Sequence, residues 1–150
     1  MRTNTKLGIF HITKFGLFFF IIFLLGSCVA TSTSVRRLEG IEFKKNLPGV
    51  WEGNWYLAGR SGKKRINIIK IDGNKIDLTG YSSGGDHWAD TEEVYGRIEN
   101  SDLILRWPGA GLNGVNDRFT MIKDDSNNLI LYGNWRSPKL FGTSQLKKIK

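Results

Sequence analysis

The stretch that decides the fold is VWEGNWYLA, residues 50–58. Trp51, Gly53, Trp55 and Leu57 stand at every second position, so they lie on one face of an extended strand. The residues between them are mostly polar. This alternation predicts a β-strand with one face in a core and the other toward solvent.

The same alternation recurs from here to the C-terminus, interrupted by turn-forming residues. Aspartate, glycine, asparagine and serine cluster at 72–74, 100–102 and 124–128, and no helical stretch is predicted. Ile68 and Ile69 break the alternation, which indicates either a β-bulge or a strand covered on both faces. The predicted strands are 50–58, 64–71, 75–82, 93–99, 103–107, 118–123, 129–136 and 141–149.

Short turns between successive strands favour sequential antiparallel hairpins. Closure of eight such strands removes exposed edges, which matters for a small sheet whose one cysteine forms no internal disulfide. The predicted fold is therefore all-β, a small antiparallel up-and-down eight-stranded barrel. A β-sandwich or a partly open sheet remains an alternative.

The segment LPGVW, residues 47–51, resembles the Gly-X-Trp signature of the calycins, the group of lipocalins, fatty-acid-binding proteins and avidins. The resemblance extends to strand count and order over about 100 residues. It implies that Trp51 plugs the closed end of a barrel beneath a basic side chain from the last strand. Lys147 and Lys148 are the two candidates for that side chain.

The N-terminus has the organisation of an export signal. Residues 1–16 are basic and free of acids, and the apolar run at 15–25 is shorter than the roughly 20 residues that span a bilayer as a helix. Leu25, Gly26, Ser27 and Cys28 follow and resemble the bacterial lipobox, the cleavage motif of signal peptidase II. An uncleaved signal anchor and an ordinary secretory signal are the alternatives.

The lipobox resemblance implies a diacylglyceryl group on the Cys28 sulfur and a further acyl chain on its freed amino group. Two or three chains, at roughly 0.8 kcal/mol per buried methylene, hold a protein durably on a membrane. Val29 in place of aspartate resembles the enteric pattern for onward transport to the outer membrane, which applies if the source is Gram-negative. The predicted domains are a signal peptide (1–27), lipidated Cys28 with a polar tether (28–46) and the barrel (47–150).

The formal charge of +8 falls to about +5 once Arg2, Lys6 and Lys14 of the signal are removed. The remaining basic residues form short clusters rather than a stripe interleaved with aromatics, so no nucleic-acid partner is expected. Solvated faces are the favoured interpretation of these clusters, and contact with anionic lipid head groups is the weaker one. The clusters lie at 36–37, 44–45, 63–65 and 147–148.

Two loops carry motif-like patterns. Residues 109–114 spell G-x-G-x-x-G, but no helix follows to present its N-terminal amides to a phosphate, so a flexible loop is predicted. The loop 82–93 gathers His87 with several acids. Zinc would want a second imidazole that the mature chain lacks, and calcium fits these oxygen ligands better, but their spacing matches no EF-hand loop. A hydrolytic triad confined to one short loop is disfavoured too. No metal, cofactor or catalytic residue is therefore expected.

The expected function is non-catalytic binding by an envelope lipoprotein anchored to a membrane. One hypothesis places a small apolar or amphipathic ligand in the barrel. The alternative is a protein-binding module, an envelope assembly factor or hydrolase inhibitor, that uses the 82–93 and 107–117 loops. The candidate contact residues are Trp51, Trp55, His87 and Trp88.

Overall fold

A computed structural model describes residues 35–83, 91–108 and 114–149, with the side chains of residues 91 and 92 excluded. The eight predicted strands are all present in this part of the chain, although β3 begins at Arg60 rather than 64 and β8 at Val115 rather than 118. The elements are β1 (Arg36–Arg37), α1 (Gly40–Asn46), β2 (Gly49–Leu57), β3 (Arg60–Asp72), β4 (Lys75–Ser82), β5 (Thr91–Glu92), β6 (Tyr95–Glu99), β7 (Asp102–Trp107), β8 (Val115–Lys123), β9 (Leu129–Arg136) and β10 (Phe141–Lys148).

Within the described residues, eight antiparallel strands close into a barrel. Each strand pairs with the next along the chain in the order β2, β3, β4, β6, β7, β8, β9, β10, and β10 returns to β2. The closing pair aligns Ser144 with Trp55 and Lys148 with Trp51. The prediction of an up-and-down eight-stranded barrel is thus confirmed, and the sandwich and open-sheet alternatives are excluded.

The prediction that residues 28–46 form a polar tether is wrong for residues 36–46. Arg36 and Arg37 form β1, which pairs with the end of β8, and the helix α1 follows. Leu38, Phe43 and Leu47 are fully buried and cover one end of the barrel. The helix is only seven residues long, so burial of these three side chains stabilises it more than helix propensity does.

The break at Ile68 and Ile69 is a β-bulge. Ile68 pairs with Leu78, and the register then jumps so that Lys70 pairs with Asp77. The extra residue, Ile69, is exposed, whereas Ile68 is buried in the core. The bulge therefore turns Ile69 and Lys70 outward in succession, which strict alternation would forbid.

The interior of the barrel is packed with side chains from every described strand of the closed ring. The inward side chains include two tryptophans, Trp51 and Trp107, and a set of aliphatic and aromatic residues from both halves of the barrel: Ile66, Ile68, Ile98, Leu103, Leu105, Phe119, Met121, Leu131 and Leu146.

In the described part of the chain, no helix is long and apolar enough to cross a membrane.

Candidate functional site

The two ends of the barrel differ. One end, which we call the closed end, is covered by α1 and carries the turns β3–β4, β6–β7 and β8–β9. The other, the open end, receives the connections β2–β3, β4–β6, β7–β8 and β9–β10. The described residues that flank the two loops singled out from the sequence therefore lie at the open end.

A pair of indoles lies at the open end. The rings of Trp55 and Trp135 meet edge to face, with centroids 6.0 Å apart and an interplanar angle of 85°, an arrangement that aromatic pairs prefer. Each ring lies against a glycine of the neighbouring strand: a Cβ on Gly62 would stand 2.5 Å from the Trp55 ring, and one on Gly142 would stand 2.6 Å from the Trp135 ring. The two glycines therefore make room for the indoles.

The two indole N–H groups have different partners. Trp55 Nε1 donates to the carbonyl oxygen of Ser83 at 2.7 Å, which fastens the first residue of the β4–β6 connection. Trp135 Nε1 is buried and has no hydrogen-bond partner among the described residues. A buried donor left unpaired costs about 1–3 kcal/mol, so an acceptor placed beside Trp135 would be bound favourably.

A polar centre lies next to these indoles inside the barrel. Lys64 Nζ stands 2.8 Å from both carboxylate oxygens of Asp117, and Trp107 Nε1 donates to Asp117 Oδ2 at 2.6 Å. Ser144 Oγ lies 3.4 Å from Lys64 Nζ and 3.5 Å from Asp117 Oδ1. The ammonium also lies 5.3 Å from the centroid of the Trp107 ring and 5.8 Å from that of Phe119.

This polar centre is buried: the exposed fraction is 3% for Lys64 and 1% for Asp117. The interpretation of the 63–65 cluster as a solvated face is therefore wrong for Lys64. Its position on the same face as Ile66 and Ile68 was the available signal, since side chains two apart share a face. Burial of a charge requires a partner, and the sequence did not show that Asp117 supplies it from across the barrel.

At the closed end, Trp51 has the structural role that the calycin resemblance implied. It is fully buried, and its Nε1 donates to the Leu47 carbonyl at 2.8 Å. Lys148 Nζ lies 5.6 Å from the centroid of the Trp51 ring and donates to the Asn46 carbonyl at 2.6 Å. Lys148 rather than Lys147 is thus the basic residue over the tryptophan, and its burial lowers the pKa of the amine.

The structure describes two of the four predicted contact residues, and they lie at opposite ends of the barrel. Trp55 lies half-buried at the open end, whereas Trp51 is enclosed at the opposite end and offers no surface to a ligand. His87, Trp88, the lipobox residues and Cys28 lie outside the described residues. Sequence reasoning did not pair Trp55 with Trp135, because their contact depends on barrel closure.

The chain was compared with protein-family models, curated proteins and solved structures, and no significant match was found. The statements about its fold therefore rest on its own strand pairing and burial.

Proposed function

We propose that the protein is an envelope lipoprotein, anchored through Cys28, that acts by non-catalytic binding at the open end of its barrel. The observation that carries the proposal is the Trp55–Trp135 pair with the unpaired, buried N–H of Trp135. The ligand class that fits is a small amphipathic molecule. Its apolar part would pack against the indoles, and one acceptor atom would take the Trp135 N–H.

The packing of the barrel supports a shallow site rather than a deep one. Trp107, Phe119 and the Lys64–Asp117 pair are buried inside the barrel, and Trp51 fills the closed end. A ligand would therefore contact the indole pair without entering these layers.

The same packing argues against catalysis by the polar centre. A serine beside a lysine and an aspartate is a combination that hydrolases use. Here the Ser144 hydroxyl is fully buried, and the ammonium beside it is held by the Asp117 carboxylate. The described residues bury this serine completely, so we assign the cluster a structural role.

Two matched variants test the binding proposal. Protein extracted from membranes in mild detergent is analysed by native mass spectrometry for bound amphipathic molecules. Trp135→Phe keeps a ring but removes the unpaired donor, and a lost hydrogen bond of about 1 kcal/mol lowers ligand occupancy roughly fivefold. Trp55→Phe removes a donor that Ser83 already satisfies, so it serves as the control with a smaller effect.

The proposal predicts a bound molecule in the unmodified protein and a selective loss in Trp135→Phe. A protein that carries no bound molecule, or an equal loss in both variants, contradicts it. Circular dichroism of each variant establishes that the barrel is intact.

The packed interior also favours a second candidate, a protein-binding module that uses the loops at the open end. A photo-crosslinking residue in place of Trp88 tests it in intact membranes, with the exposed closed-end residue Lys75 as the control position. A specific adduct from position 88 alone is expected. Adducts from both positions, or from neither, count against this candidate.

A further inference from the structure

The closed end carries a surface that is both apolar and cationic. Ile41 of α1 is 88% exposed, and Ile69, the bulge residue of β3, is 56% exposed. The two residues line one groove together with Pro48 and three lysines, and none of the residues lining it is acidic. We call this the Ile41–Ile69 surface; its lysines are Lys44, Lys45 and Lys70.

Local structure holds this surface in place. Lys44 Nζ donates to the Gly73 carbonyl at 2.9 Å and to Asn74 Oδ1 at 3.2 Å, which ties α1 to the β3–β4 turn. The bulge then sets Ile69 and Lys70 on the outer face side by side. Two separate irregularities, a short helix and a bulge, thus bring exposed isoleucines and lysines together.

The surface lies at the end where the chain from Cys28 enters the barrel. Arg36 and Arg37 pair with Lys123 and Ile122 at the end of β8. Six residues separate Cys28 from Val35, and the seven steps from one Cα to the next reach about 25 Å at most in an extended chain. A lipid on Cys28 would therefore hold the start of the barrel domain within that distance of the bilayer.

We infer that the Ile41–Ile69 surface rests on an anionic phospholipid bilayer and orients the barrel with its open end away from the membrane. The inference builds on the proposed lipid anchor, which brings the surface to the bilayer at high local concentration. Lysines are attracted to the negative leaflet, and exposed isoleucines enter the boundary between head groups and acyl chains. The proposed anchor favours a bilayer over an acidic protein as the occupant, because it holds both anionic head groups and an apolar layer within about 25 Å of this end of the barrel.

An environment-sensitive dye tests this orientation on the full, processed chain. The dye is attached at Ile41→Cys, and Phe141→Cys is the matched control, since Phe141 is 79% exposed on the outer face near the open end. Acylated Cys28 does not react with the dye. The protein is reconstituted into vesicles of phosphatidylcholine alone or with phosphatidylglycerol, and the emission wavelength is recorded.

Emission at position 41 is expected to shift to shorter wavelength in the anionic vesicles only, while position 141 stays unchanged. Lys45→Gln with Lys70→Gln should abolish the shift, since each lysine contributes about fivefold to affinity for an anionic surface. High salt should also reverse it. No shift at position 41, an equal shift at 141, or a shift that survives both lysine replacements overturns the inference. A shift without vesicles that grows with protein concentration shows that a second copy covers the surface, and it overturns the inference as well.

The proposed lipid anchor and the proposed role of the Ile41–Ile69 surface can be refuted independently of each other. Labelling of Cys28 itself refutes the anchor. The same dye measurement in a Cys28→Ser background, at vesicle excess, then still decides whether the Ile41–Ile69 surface binds anionic lipid.

Discussion

Replacement of Asp117 by asparagine should destabilise the barrel more than any change on its surface. The substitution keeps the shape of the side chain but removes the charge that faces the Lys64 ammonium at 2.8 Å. Lys64 is only 3% exposed, so the substitution leaves an uncompensated charge in the interior. Breaking a buried pair in this way costs about 3–5 kcal/mol.

That cost is a large share of the 5–15 kcal/mol by which a typical domain is stable. At about 4 °C per kcal/mol for a domain of this size, the Tm should fall by roughly 12–20 °C. Urea unfolding followed by tryptophan fluorescence measures the free energy of unfolding of each variant. Lys63→Met is the control, because Lys63 faces outward on the same strand and its replacement should change stability by no more than about 0.5 kcal/mol.

The double variant Lys64→Met with Asp117→Leu distinguishes a charge effect from a packing effect. With both charges removed, the main remaining cost is the unpaired N–H of Trp107, about 1–3 kcal/mol. The double variant should therefore be more stable than Asp117→Asn. The buried ion pair would be refuted by a cost below about 1 kcal/mol for Asp117→Asn. It would also be refuted if the double variant lost as much stability as the single variants Lys64→Met and Asp117→Leu lose together.

Three further predictions concern the ends and the wall of the barrel. Lys148→Met removes the donor to the last turn of α1, so hydrogen exchange in Gly40–Asn46 should become faster while the strands keep their protection; unchanged exchange would contradict this. Gly80→Ala places a methyl group 2.5 Å from the Trp107 ring and should destabilise the barrel by about 1–3 kcal/mol in urea unfolding, whereas an unaffected midpoint would show that the ring has room to move. The side-chain amide and backbone N–H of Asn128 donate to Asp124 and hold the pKa of its carboxyl group below the usual 3.8. The stability that this carboxylate adds is therefore present above pH 3.8 and is lost as the pH falls through the lowered pKa. An NMR titration of Asp124 checks the direction, and a midpoint at or above 3.8 would be incompatible with the turn geometry.

The fold was largely predictable because each strand carries its own alternation and each turn its own residues. Residues 75–82 and 129–136 were predicted with the bounds that the structure gives them. The helix α1 was missed because it has only seven residues and its stability comes from burying Phe43 against the barrel. Such tertiary stabilisation leaves little trace in a local pattern.

The candidate site was less predictable. Trp55 was identified from its own strand, but Trp135 joins it only because β2 and β9 both flank β10 in the closed barrel. Lys64 and Asp117 each lie on the apolar face of a strand, so their burial was detectable in principle. Their pairing was not, because it depends on which strands face each other across the interior.

The proposed anchor is tested most directly by the intact mass of the protein recovered from bacterial membranes. We expect a chain that begins at Cys28 and carries a diacylglyceryl group, and a Cys28→Ser variant that lacks this mass increment and is not cleaved at residue 28. A mature chain that begins at another residue, or an unmodified cysteine in protein released into buffer, would contradict the account.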